Sequence, residues 1–301
     1  MSFPSRVRWM KGRFANVDGI PFTMPVGTST SPALFAGFSV DADAARAMLP
    51  GQELHPVRLG SRALMVLAVV NYQDTTIGKY VEFCIGILAQ KGRAPAPPVV
   101  PLLARRAYGT GVYIYDLPVS SEISVKGGRG IWGMAKRQAN LDFIVGPDIV
   151  SSQYDLDGQL VMRVDVSNPG PARLPVKLTN VGYGDFRGML TRSATYLDTH
   201  LGFTVRDPKA RLLIGDHPRA APLHALDVDH RPLFTGFAPT LQGVLDDHVE
   251  TWFLTADQPP APASFDLASF AHLGLSEEWL APPDRAATDA ILRGQIGART
   301  A

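Results

Sequence analysis

The most constraining feature of this 301-residue chain is its rhythm: short runs rich in β-branched and aromatic residues recur between Gly, Pro, Asn and Asp. Such spacing suits many short strands in an antiparallel or mixed sheet that closes on itself. Strands are expected near 34–40, 62–72, 80–90, 111–116, 139–146, 149–155, 158–167, 180–189, 192–197, 211–215 and 248–255. A helix is expected over Asp41 to Leu49, where Asp41 offers an N-cap, alanines follow and Pro50 ends the run. A second helix is expected near Pro218 to Leu226. The four prolines of 91–101 remove amide donors and fix φ, which makes that segment a surface loop or flap. The expected class is mainly β (α+β).

Beyond Leu254 the pattern changes. Residues 1–255 read as one domain, and 256–301 as a Pro-rich linker with a helical extension, its helix-like stretches at 265–273 and 284–293. Their apolar residues, Phe265, Leu267, Phe270 and Leu273, then Ala287, Ala290 and Ile291, suit docking onto a body or a neighbouring subunit.

Charge narrows the partners. Lys and Arg number 29 against 28 Asp and Glu, so the broad positive field that nucleic acid or an anionic membrane requires is absent. A small molecule is the expected partner. The lone cysteine, Cys84, forms no intrachain disulfide, no apolar run approaches a membrane span, and the N-terminus lacks the apolar core of a signal peptide, so a cytoplasmic location is expected. The histidines show no ligand spacing, and no metal site is expected.

Chemistry concentrates in 121–146. Gly128, Gly130 and Gly133 satisfy G-x-G-x-x-G, yet only Met134 to Gln138 follows before a strand-like run, too short for the helix that receives a pyrophosphate. The same residues suit amine chemistry: Lys136 and Arg137 are adjacent cations beside Ile131, Trp132 and Met134. Attack on a carbonyl requires the neutral amine, which an ordinary lysine supplies only a few times in ten thousand at about pH 7. Burial and a neighbouring cation both disfavour the ammonium. A solvated Lys-Arg pair on a loop is the plain alternative.

Gly128-Arg129, followed by Lys136-Arg137, resembles the Gly-Arg-Glu-x-x-x-x-Pro-Lys-Lys signature of the acetoacetate decarboxylase family, a system that also illustrates lysine activation by a neighbouring cation. Ile77 to Glu82 resembles the family's Leu-Gly-x-Tyr-x-Glu; Asp41 to Pro50 is similar to its early helix, and Gly170 to Val176 to a later segment. The resemblance implies a large mixed β-barrel or cone with a few flanking helices, a homo-oligomer, and no cofactor. It makes Lys136 the Schiff-base lysine, Arg137 its cationic neighbour and Glu82 an acid-base group, with Tyr80, Arg129, Trp132 and Met134 around the substrate. The implied activity is a lyase acting on a small keto acid, by decarboxylation of a 3-keto acid. An aldolase or dehydratase of a 2-keto acid and a non-catalytic small-molecule-binding barrel are the alternatives. The chain departs from the family where an arginine falls near Thr30 or Ser31, a second glutamate at Ala68, the signature glutamate at Gly130 and its Tyr-Pro at Met134-Ala135. Arg105, Arg106, Arg173 and His200 are candidate replacements for the missing cation.

Overall fold

The structure is a computed structural model describing residues 11–256 and 273–297. A hairpin, β1 (Arg13–Val17) and β2 (Ile20–Met24), leads into the long strand β3 (Gly27–Asp41). Asp41 then caps helix α1 (Ala42–Met48) by accepting from the amides of Asp43 and Ala44, as its position before an alanine-rich run predicts. Next come β4 (Leu54–Pro56), β5 (Arg62–Tyr72), β6 (Tyr80–Lys91), the one-turn α2 (Val100–Leu103), β7 (Gly111–Val119), helix α3 (Glu122–Trp132) and β8 (Lys136–Gln138). Short β9 (Asn140–Leu141) and β10 (Ile144–Val145) precede β11 (Ile149–Leu156), β12 (Gln159–Ser167), β13 (Leu174–Phe186), β14 (Met189–Thr204) and β15 (Ala210–Ile214). A 3₁₀ turn (Pro218–Ala220), α4 (Ala221–His224), β16 (Pro232–Leu245), β17 (Glu250–Phe253) and α5 (Ala286–Gly297) complete the order.

Strands β6-β5-β3-β16-β14-β13-β7 pair in sequence, and β7 pairs back with β6, closing a seven-stranded barrel. A second sheet, β10-β11-β12-β15, covers its outside. The side chains identify the faces. Phe83 of β6 meets Tyr154 of the second sheet, their ring centroids 6.1 Å apart, so Phe83 points outward with Val81, Ile85 and Ile87 into the large core between the layers. Alternation along a strand then turns Glu82 and Cys84 inward. One end of the barrel is plugged by α3 and the β1–β2 hairpin through Val17, Phe22, Tyr80, Val125 and Trp132. The other is filled by Leu64, Leu88, Val112 and Phe234 with Leu102 of α2.

Several expectations need correction. The 180–189 strand is interrupted: Arg187 and Gly188, at φ 54 and 73, form a two-residue turn between β13 and β14. This is the turn that right-twisted hairpins favour, with arginine where Asn or Asp usually announces it. The 139–146 strand splits into β9 and β10 around Asp142, whose carboxylate accepts from the Gln153 amide and from Arg285. Helix α3 is not among the elements expected from the sequence. The 218–226 helix is a 3₁₀ turn followed by the single turn α4. In α5 the expected docking residues Ala287, Ala290 and Ile291 are exposed, while Thr288 and Leu292, one turn apart, are buried. Most of the 265–273 stretch lies outside the described residues.

Candidate active site

Residues 111–138 form a parallel β7-α3-β8 unit, with Leu117 opposite Lys136 and Pro118 opposite Arg137. The αL residue Gly133 ends α3, returning its amide to the Arg129 carbonyl at 3.1 Å and freeing the chain to start β8. The glycines of the apparent phosphate motif lie within or at the end of this helix. A Cβ on Gly128 would stand 2.4 Å from Cδ of Lys136, and one on Gly130 2.5 Å from Val17. Gly128 is therefore the groove through which the lysine stem passes, and Gly130 admits the hairpin.

Alternation along β8 sends Lys136 into the barrel and Arg137 to the other face. Lys136 is 5% exposed. Its Nζ stands 2.8 Å from Oε2 of Glu82, donates to Oγ of Ser124 at 3.0 Å, and lies 5.2 Å from the centre of the Tyr80 ring. Tyr72, opposite Tyr80 across β5 and β6, donates to the other Glu82 oxygen at 3.4 Å. The structure therefore brings Lys136, Glu82 and Tyr80 together as expected and adds Ser124 and Tyr72. Tyr72 was within reach of a period-2 reading, since residues 68, 70 and 72 share the face of Glu82. Ser124 was not, because its approach depends on α3.

The electrostatics overturn the expected activation. Burial pushes the Lys136 ammonium toward losing its proton, but the Glu82 carboxylate and Tyr80 outweigh it and hold the lysine above its ordinary value. Arg137 turns to Asp116 on the opposite face: its Nε donates to that carboxylate at 2.9 Å, and the fully buried group also accepts from Tyr154 at 3.0 Å and Arg219 at 3.3 Å. Burial pushes Tyr80 up to about 12, so it stays a neutral phenol.

The other expected site residues serve the lysine or the plug. Arg129 donates from Nε to the backbone carbonyl of Lys136 at 2.6 Å, fixing the strand that carries it. Trp132 is buried in the apolar plug and donates to the Asp246 carbonyl at 3.0 Å, and Met134 packs against the same cluster. At the missing family arginine, Ser31 is buried beside Thr28 and accepts from the Gln73 amide. Thr28, Ser29 and Thr30 all bond the Asp74 carboxylate. Burial opposes that anion, but these hydrogen bonds prevail and hold it well below the usual carboxylate range. Ala68 lies opposite Cys84, one inward position beyond Glu82. Among the described residues no group of three His, Cys, Asp or Glu side chains is arranged to hold a metal, and no helix is long and apolar enough to cross a membrane.

A family model described as acetoacetate decarboxylase matches residues 15–233. Among the solved structures, 12 chains match. One, from structural studies of acetoacetate decarboxylase, is 17% identical with a TM-score of 0.53, covering 76% of this chain and 89% of its own. The acetoacetate decarboxylase of Legionella pneumophila subsp. pneumophila str. Philadelphia 1 is 15% identical with a TM-score of 0.52, covering 73% of this chain and 84% of its own. At these identities the likeness is one of fold. No curated protein matches.

Proposed function

The chain belongs to the acetoacetate decarboxylase family, and from that premise we propose that it is a Schiff-base lyase acting on a small carbonyl compound through Lys136. The observation that carries this reading is a buried amine 2.8 Å from a carboxylate inside a closed barrel. With Glu82 beside it the amine is held as an ammonium, and an ammonium is not a nucleophile. Passing the proton from Nζ to Glu82 removes both charges at once, and burial, which penalises each charged form, favours that exchange.

The neutral amine then adds to the substrate carbonyl, giving a carbinolamine. Protonated Glu82 returns its proton to the leaving hydroxyl, water departs, and an iminium forms on Nζ beside a carboxylate. The iminium accepts the electron pair of a bond one carbon away, so that bond breaks and an enamine forms. Protonation of the enamine carbon and hydrolysis, which consumes one water, return Lys136. Ser124 and Tyr80 hold Nζ in line, Arg129 holds its backbone, and Tyr72 orients Glu82. Both CO₂ loss from a 3-keto acid and retro-aldol cleavage draw on this electron sink.

Borohydride reduction in the presence of a panel of ketones, aldehydes and keto acids tests the reading. A mass adduct mapped to Lys136 is expected. Its absence across the panel, or its location on another lysine, would sink the proposal.

A further inference from the structure

The inner face that carries Glu82 continues away from Lys136 along a defined set of neighbours. Val70 lies opposite Glu82, Ala68 opposite Cys84, and Phe35 opposite Ala68. On the outer face of the same strands Leu34, Val69 and Phe83 are completely buried. On the inner face Phe35, Ala68 and Cys84 keep partial exposure. Apolar clusters sit at both barrel ends, and between them these three residues leave room on the inner face, the barrel chamber. Along β6 the space is bounded by Glu82 and by Gly86, where a Cβ would already touch Val112 at 2.3 Å. Four residues of strand span about 13 Å.

The charge of this space is simple. The segments of β3, β5 and β6 that flank Glu82, residues 31–37, 66–72 and 80–86, contain one acid, Glu82, and no lysine or arginine, and the β14 and β16 residues packed against them, Leu197, Leu201, Ala238 and Leu241, are apolar. At the other end the α3 cations are engaged, Lys126 with Asp18 and Arg129 with the Lys136 carbonyl, so Lys136 and Glu82 balance each other when no substrate is bound. An imine formed from a ketone or aldehyde keeps that balance, with the iminium facing the Glu82 carboxylate. An imine formed from a keto acid adds a second carboxylate and leaves one buried negative charge without a partner. The positions where the family resemblance places a cation hold Thr30, bonded to the anion Asp74, and Ser31, which accepts from the Gln73 amide. Of the candidate replacements, Arg105, Arg106 and Arg173 lie on no barrel strand, and His200 of β14 is exposed. Burial also holds the Cys84 thiol up, so it presents an uncharged sulfur to the space.

We infer that the barrel chamber takes an uncharged carbonyl compound with an apolar body, an aromatic or branched ketone or aldehyde, in preference to the corresponding keto acid. This rests on Lys136 as the imine-forming group. In a member of this class that carries a β-hydroxyl, the bond broken joins the carbons α and β to the iminium: Glu82 takes the hydroxyl proton, the β-carbon leaves as an aldehyde, the electron pair of the broken bond forms the enamine, and the enamine is then protonated and hydrolysed by one water.

Phenylacetone and phenylpyruvate differ only in a methyl against a carboxylate, and they make the test. The full-length protein is incubated with each at pH 7, reduced with borohydride and mapped by peptide mass. Phenylacetone is expected to label Lys136 half-maximally at a concentration at least tenfold below phenylpyruvate, and acetoacetate is expected to release no CO₂ above the uncatalysed rate. Labelling by phenylpyruvate at an equal or lower concentration, or catalysed CO₂ release, would overturn the inference while leaving the Schiff base intact. Labelling by neither compound overturns this inference, and the wider carbonyl panel then decides separately whether Lys136 forms a Schiff base.

Discussion

Lys136 and Glu82 meet 2.8 Å apart although they arrive from different parts of the chain, one on the short strand after α3 and the other on the barrel wall. Each is the other's counter-charge in a space without further ions on the wall segments, so the proton they share sets when the amine is a nucleophile.

Glu82→Gln tests that control. Burial is the largest influence on Lys136 and it opposes the ammonium, whereas Glu82 opposes burial. With the carboxylate gone, the midpoint for imine trapping is expected to move to lower pH, while turnover falls by about 10²–10⁴-fold for want of a proton acceptor. The stability difference follows the same sign. A lysine held above its ordinary value contributes stability fully below about pH 10.4 and loses it as pH rises through the folded value, so wild type and variant should converge only in strong alkali. A midpoint that stays put or rises would show that Glu82 does not hold the proton.

Arg137→Met separates the two cations. The guanidinium serves Asp116 on the outer face, and losing one charge-assisted hydrogen bond there should lower stability by about 1–3 kcal/mol in urea unfolding. The trapping midpoint of Lys136 should not move. An upward shift would restore Arg137 as an activating cation.

What the sequence disclosed follows from what each residue does alone. Lys136, Glu82 and Tyr80 were legible because their chemistry sits in short motifs, and Asp41 because a cap acts locally. The barrel was legible from alternation and turn residues. Helix α3 was hidden by the trait that lets it work: Gly127, Gly128 and Gly130 each weaken a helix by about 1 kcal/mol, so local preference reads loop. Their missing side chains make room for Phe22, Lys136 and Val17, all of which lie outside the helix. The direction of Arg137 was equally out of reach until β8 was known to be a strand.

Gly128→Ala isolates that clearance. In an open helix the change favours folding by about 1 kcal/mol. Here the new methyl meets the middle of the flexible Lys136 stem, which can swing aside. Stability is expected to change by less than about 1.5 kcal/mol. Trapping at Lys136 should fall by about 10²-fold, the scale of a 1 Å misplacement. Gly294→Ala in α5, where the added Cβ meets nothing within 4 Å, is the control and should leave trapping unchanged. Equal trapping by both variants would remove Gly128 from the site.

The segment 273–285, beyond the residues matched by the family, reaches each element that bears the site. Lys126 of α3 donates to the Leu273 carbonyl, the Ile123 amide to Ser276, and Gln138 of β8 to Glu278. Trp279 donates from Nε1 to the carbonyl of Lys79, next to Tyr80 at the start of β6, and forms a bridge with Ser121 before α3. One strap therefore sets α3, β8 and β6 against one another, and with them Ser124, Lys136 and Glu82. Trp279 is 43% exposed, so Trp279→Ala should lower global stability by only about 1 kcal/mol. Its effect on placement is expected to be larger: faster hydrogen exchange at the Ile123 amide and roughly tenfold slower imine formation, because a small displacement of the reacting amine weighs heavily on rate. Unchanged exchange together with an unchanged rate would show that α3 and β8 hold Lys136 against Glu82 without the strap.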